Sequence, residues 1–225
     1  MTAPLPSLDD DQRASLAAVP VFPLPNVVLL PGMRLPLHIF EPRYRQLTRD
    51  ALAGPRTLVV TQLAASPRGA SMSDDAQPPI VTVAGVGVIV HDVALPDGRF
   101  NLIVEGRARV RLHELAFVPP YRRARAELLD DDARAVSSLD LQALHSAATT
   151  FLSAVRRRET TFALEMPSDL APGALADWCA WRLLVDPDDR QAALEALDPA
   201  RRVHDVAAAI AGQMTLFRAN ADAPS

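Results

Sequence analysis

The chain has 225 residues, 49% of them hydrophobic and 22% charged, with a formal net charge of -4; this composition describes one large or two small globular cores and excludes a disordered chain. All 23 cationic side chains are arginine and none is lysine, which excludes a lysine-dependent phosphate loop, a Ser-Lys dyad and a Schiff-base enzyme. A guanidinium stays protonated and so serves as neither general base nor amine nucleophile.

The N-terminus lacks a basic start followed by an apolar stretch, so no signal peptide is expected. In 21–40, Pro23, Pro25, Pro31 and Pro36 withhold backbone donors and predict short, interrupted or edge strands. Glu41-Pro42 then opens a helix, with Tyr44, Leu47, Thr48 and Ala51 on one face and Gly54 as its stop. Residues 56–64 read as a strand and 66–79 as a mobile surface loop. The most apolar run, 80–90, reads as a strand, being far shorter than the roughly 20 residues of a membrane helix. Gly85 and Gly87 share one face of it, which predicts close backbone approach or a sharp bend.

A turn at Pro96-Asp97-Gly98 leads to a strand over 99–105, a break at Gly106 and a strand over 107–117. There the inward phase shifts from Leu112 to Leu115, predicting a β-bulge at His113-Glu114. A last strand over 121–129 points Ala124, Ala126 and Leu128 inward. Near residue 130 the pattern turns helical. Helices are predicted over 138–158, 171–185, 187–197 and 199–217, the last with an apolar stripe of Val203, Val206, Ala207, Ile210 and Met214. The fold expected is α+β: a small, closed or nearly closed β-barrel with one early helix over 1–130, a four-helix bundle over 131–219, and a disordered tail over 220–225.

Several constellations invite a chemical reading. From Arg99 to Arg125 seven arginines face two glutamates, and Arg107, Arg109, Arg111, Arg123 and Arg125 form a candidate RNA footprint. Against this, interleaved aromatics are too few for a stacking platform, and such a strand face is ordinarily solvated. The histidines His38, His91, His113, His145 and His204 are scattered without metal-ligand spacing, and no cofactor or metal is expected. The acidic run Asp130-Asp131-Asp132 reads as a solvated linker. No Gly-x-Ser-x-Gly elbow occurs, and Cys179, the single cysteine, lies between Trp178 and Trp181 as a packed thiol. Enzyme activity is not expected.

The segment 21–47 closely resembles the opening of the N-terminal, substrate-recognition domain of the ATP-dependent protease Lon. The resemblance rests on Phe22-Pro23-Leu24, Leu30-Pro31-Gly32, Pro36-Leu37 and Ile39-Phe40-Glu41-Pro42-Arg43-Tyr44. Further on, Val86-Gly87-Val88, Pro96-Asp97-Gly98-Arg99 and the run Glu105-Gly106-Arg107-Ala108-Arg109-Val110 resemble the same family. So do Leu175-Ala176-Asp177 and the run 190–195 in the helical part, and the likeness covers roughly 19–212. It implies a PUA-like barrel followed by helices, a fold shared with the ligand-binding region of cereblon. It also implies a free-standing, non-enzymatic recognition module without the ATPase and peptidase, both of which need a lysine.

The expected partners are unfolded or degron-bearing polypeptides and a protease, in the cytoplasm and without a membrane. The candidate peptide-binding residues are Phe40, Glu41, Arg43 and Tyr44, in a groove between barrel and bundle lined also by strand edges that proline leaves open. A purely structural role competes at these positions, with Glu41 capping the helix, Arg43 pairing with a carboxylate and Tyr44 packing on the barrel. An RNA-binding or RNA-modification accessory domain is the alternative function, and a small-molecule sensor the third.

Overall fold

A computed structural model describes residues 7–64 and 77–222. Most of the loop expected over 66–79 lies outside these residues. Two compact units divide the chain, one from Leu5 to Asp130 and the other from Asp131 onward. The first opens with a helix absent from the sequence reading, α1 (Asp10–Ser15). Asp9 and Gln12 close a reciprocal capping box on it, and a 3₁₀ turn over Leu16–Ala18 follows. Six strands come next, β1 (Val19–Leu24), β2 (Arg34–Ile39), β3 (Thr57–Gln62), β4 (Val83–Ala94), β5 (Phe100–Glu114) and β6 (Arg123–Leu129), with α2 (Pro42–Ala53) between β2 and β3.

The strands form one mixed sheet in the order β2-β5-β4-β3-β1-β6, and β6 also pairs with β5. β5 makes this possible by its length. It pairs with β4 from Phe100 to Arg111, has β2 beside Phe100–Glu105, and has β6 beside Arg109–Glu114. Pairing therefore runs from β5 through β4, β3, β1 and β6 back to β5. Val19, Val21, Val59, Val86, Val110, Leu112, Ala124 and Ala126 pack together as the core of this circuit, joined by Leu8 and Leu16. Period-2 alternation thus points inward as the sequence indicates.

Two expectations about β5 fail. Gly106 does not break it: the strand is continuous, and the register slips at Arg107, skipped between Ala108↔Val86 and Gly106↔Gly87. His113 and Glu114 pair regularly with Arg125 and Ala124, so no bulge lies there. The apparent phase shift at Leu115 arises because the chain has left the strand. A second slip falls at Val90 of β4.

The glycines are set by the segment of Val28, Leu29 and Leu30, which is buried against the sheet. A Cβ on Gly85 would lie 1.9 Å from the Leu29 carbonyl oxygen, and one on Gly106 2.2 Å from that of Leu30. The Gly32 N–H donates to the Gly106 carbonyl at 2.9 Å, and the Gly106 N–H to the Met33 carbonyl at 2.8 Å. Close backbone approach, expected for the β4 glycines, is thus what Gly85 provides.

The second unit holds α3 (Ser138–Arg158), α4 (Pro172–Leu183), α5 (Pro187–Glu195) and α6 (Pro199–Asp222). Ser137 and Asp186 cap α3 and α5, and proline opens α4, α5 and α6. The stripe of Val203, Val206, Ala207, Ile210 and Met214 is buried. α6 runs on to Asp222, into the tail expected from residue 220, and 223–225 lie outside the described residues.

The acidic run is not merely a solvated linker. Asp131 accepts hydrogen bonds from both terminal nitrogens of Arg202, whose side chain is fully buried, and Asp177, itself buried, lies 3.3 Å from Arg202 Nε. No helix among the described residues is long and apolar enough to cross a membrane.

Candidate functional site

α2 follows β2 directly because Pro42 presets the helical φ and has no N–H to leave unsatisfied. Glu41 stands at the cap position but its side chain makes no cap bond. Its carboxylate instead accepts from Arg43 Nε at 2.9 Å, correcting the expected capping role and supplying the carboxylate expected for Arg43. Tyr44 turns inward, its ring edge-on to Phe22 at 4.4 Å between centroids. Of the four candidate peptide-binding residues, Phe40 alone presents a large apolar surface. It is 60% exposed and stacks on His38 at 6.3 Å.

β2 is an edge strand, as its proline suggests, and the same proline blunts the edge. Met33 turns its carbonyl to Gly106 of β5, so alternate residues Leu35, Leu37 and Ile39 pair inward, and Arg34, Pro36 and His38 point their backbones outward. Pro36 removes the central donor of that outward row, which works against addition of a further strand.

The better-formed concavity lies at the other end of α2. A cleft of about 510 Å³ is walled by Leu115, Val118, Pro119 and Pro120, with Ala18 from the 3₁₀ turn. The loop after β5 exposes its apolar side chains: Val118 is 72% exposed, Phe117 48% and Leu115 43%. These side chains thus form an apolar cluster on the loop that belongs to no buried core.

The polar floor is closed on itself. The Tyr121 hydroxyl donates to Asp50 Oδ2 at 2.5 Å and accepts from Arg123 at 2.9 Å, and Gln46 donates to Asp50 Oδ1 at 2.8 Å. Burial first, and the Asp50 carboxylate next, push the Tyr121 hydroxyl above its ordinary range, which keeps it protonated and donating. With these groups paired, the cleft suits an apolar side chain. Arg123, exposed and with one terminal nitrogen engaged by the Tyr121 hydroxyl, retains donors for a ligand.

The arginines singled out as an RNA footprint are dispersed. Arg107 pairs with Glu105 at 3.0 Å and Arg109 is buried. Arg111, Arg123 and Arg125 stay exposed on the outer face of β5 and β6. Cys179 is buried, and that burial pushes its thiol up to about 12, far from a reactive thiolate. Among the described residues no three His, Cys, Asp or Glu side chains are grouped to hold a metal ion.

The sequence reading missed the cleft. Its signal was present in Leu115-Ala116-Phe117-Val118-Pro119-Pro120, an apolar run ending in two prolines, which reads as the end of a strand when only alternation is considered.

Residues 18–211 match the family model of the ATP-dependent protease La (LON) substrate-binding domain. The chain belongs to this family. Among curated relatives of the LON substrate-binding region, the Lon protease of Roseiflexus castenholzii is 30% identical over 214 residues, covering 92% of this chain and 25% of the relative. Lon protease 2 of Sorangium cellulosum is 28% identical over 212 residues, covering 89% and 25%. The chain thus spans about a quarter of the length of these relatives.

The LON-type fold recurs in solved structures. The Lon N-terminal domain protein from Xanthomonas campestris has a TM-score of 0.58 at 21% identity, covering 85% of this chain and 97% of that one. The N-terminal domain of the Mycobacterium avium complex Lon protease gives 0.58 at 19%, covering 86% and 98%. The whole cleft lies within the residues matched to the LON substrate-binding family.

Proposed function

We propose that the chain recognises polypeptides by seating an apolar side chain of the client in the cleft between α2 and the loop after β5. The observation that carries this reading is the exposed apolar wall of Leu115, Val118, Pro119 and Pro120 over a floor whose polar groups already satisfy one another. An apolar group entering such a site leaves no buried donor or acceptor unpaired. The module holds the client without chemistry on it, in the cytoplasm, and delivers it to a protease activity of the kind named in its relatives.

The test is a titration of the full chain with reduced, carboxymethylated α-lactalbumin, a permanently unfolded probe, followed by fluorescence anisotropy. Val118→Asp should weaken binding about tenfold or more, equivalent to ~1.4 kcal/mol. Because Val118 is so exposed, its stability should stay within about 0.5 kcal/mol of the parent. Equal affinity of variant and parent would overturn the assignment of the cleft.

A further inference from the structure

The cleft takes an apolar anchor but leaves the arginine face beside it without a role. β6 turns Ala124 and Ala126 into the core and Arg123, Arg125 and Glu127 outward; β5 sets Arg111 opposite Glu127 and His113 opposite Arg125. Of the two carboxylates in this register, Glu127 makes its 3.4 Å contact to His113 Nε2, and Glu114, opposite the inward Ala124, pairs with Arg122 at 3.3 Å. Arg111, Arg123 and Arg125 are exposed and form no ion pair among the described residues. Arg123 belongs to both features, lining the cleft and beginning the basic row.

We propose that cleft and row together read a polypeptide segment in which one apolar anchor is followed by acidic residues at alternate positions. This rests on the reading of the cleft given above and specifies its client. An extended peptide presents every second side chain on one face, about 6.8 Å apart, and Arg123 and Arg125 repeat at that same interval along β6. With the anchor in the cleft, the following carboxylates meet guanidinium groups that have no acid of their own. Nucleic acid would meet the same arginines, but the row offers it little stacking surface: Tyr121 is buried, leaving Phe117 as the exposed ring of the adjoining loop.

The test compares, by anisotropy with the full chain, a labelled decapeptide carrying one leucine followed by glutamates at alternate positions, its glutamine counterpart, and labelled oligouridine. The acidic peptide should bind about tenfold more tightly than its counterpart, with an advantage that shrinks as salt rises. Arg125→Gln, which removes an exposed positive charge from β6, should abolish most of that advantage. Arg123→Gln should do the same and also weaken the glutamine peptide, because it alters the cleft.

Equal binding of the two peptides overturns the acidic specificity and leaves the cleft reading intact. Failure of both peptides to bind overturns both readings. Oligouridine binding more tightly than the acidic peptide, and unaffected by Val118→Asp, assigns the row to nucleic acid and overturns the proposal.

Discussion

A methyl group on Gly106 would meet the Leu30 carbonyl oxygen at 2.2 Å, in backbone that hydrogen bonds to Gly32 and Met33 already pin. Neither side can give way without losing a bond, so Gly106→Ala should cost about 2–3 kcal/mol. Gly212 of α6 has nothing within 4 Å of such a methyl group, and there the same change should add about 0.5–1 kcal/mol through helix propensity. Urea unfolding of the two variants beside the parent reads both signs at once. A Gly106→Ala protein as stable as the parent would show that the segment bearing Leu29 and Leu30 can lift from the sheet.

At the level of elements, the buried Arg202 organises the helical unit. Burial opposes its charge, but hydrogen bonds to Asp131 and the attraction of Asp177 outweigh that, and its proton is held more tightly than usual. Arg202→Ala should therefore cost about 3–5 kcal/mol, because Asp177 stays buried without this cation. The paired change Arg202→Met with Asp177→Leu should recover much of the loss, as measured by thermal unfolding of the full chain. The face of α2 was legible in the sequence because Tyr44, Leu47, Thr48 and Ala51 fall at helical spacing and are all buried. Asp131 was not, since a run of three aspartates looks solvated until α6 supplies its partner. α1 was missed because it is a single short element without a buried residue of its own. The cleft was missed for a related reason: Ala18, Asp50 and the run from Leu115 to Arg123 come from three segments far apart in sequence, and no local period links them.

Over the whole molecule, the groups whose burial favours a neutral form make stability fall at alkaline pH. The Cys179 thiol moves from 9.0 up to about 12 by burial, and burial likewise raises Tyr44 and Tyr121. The unfolded chain gives up these protons first, so the stabilisation is complete below pH 9 and is lost as pH rises toward 12, at up to about 1.4 kcal/mol per unit for each titrating group. Cys179→Ala should flatten the fall of the urea midpoint between pH 9 and pH 11, and an unchanged slope would mean that the thiol reaches solvent in the native state. The strand circuit has a consequence in time. Its closing pairs, Val19 with Ala124 and Glu114 with Ala124, join the start of the first unit to its end. While the chain emerges from a ribosome, β1 and β5 each carry an unpaired edge until β6 has been made, so the last strand acts as the latch of the nascent unit. Before the latch closes, those edges are where it is open to mispairing.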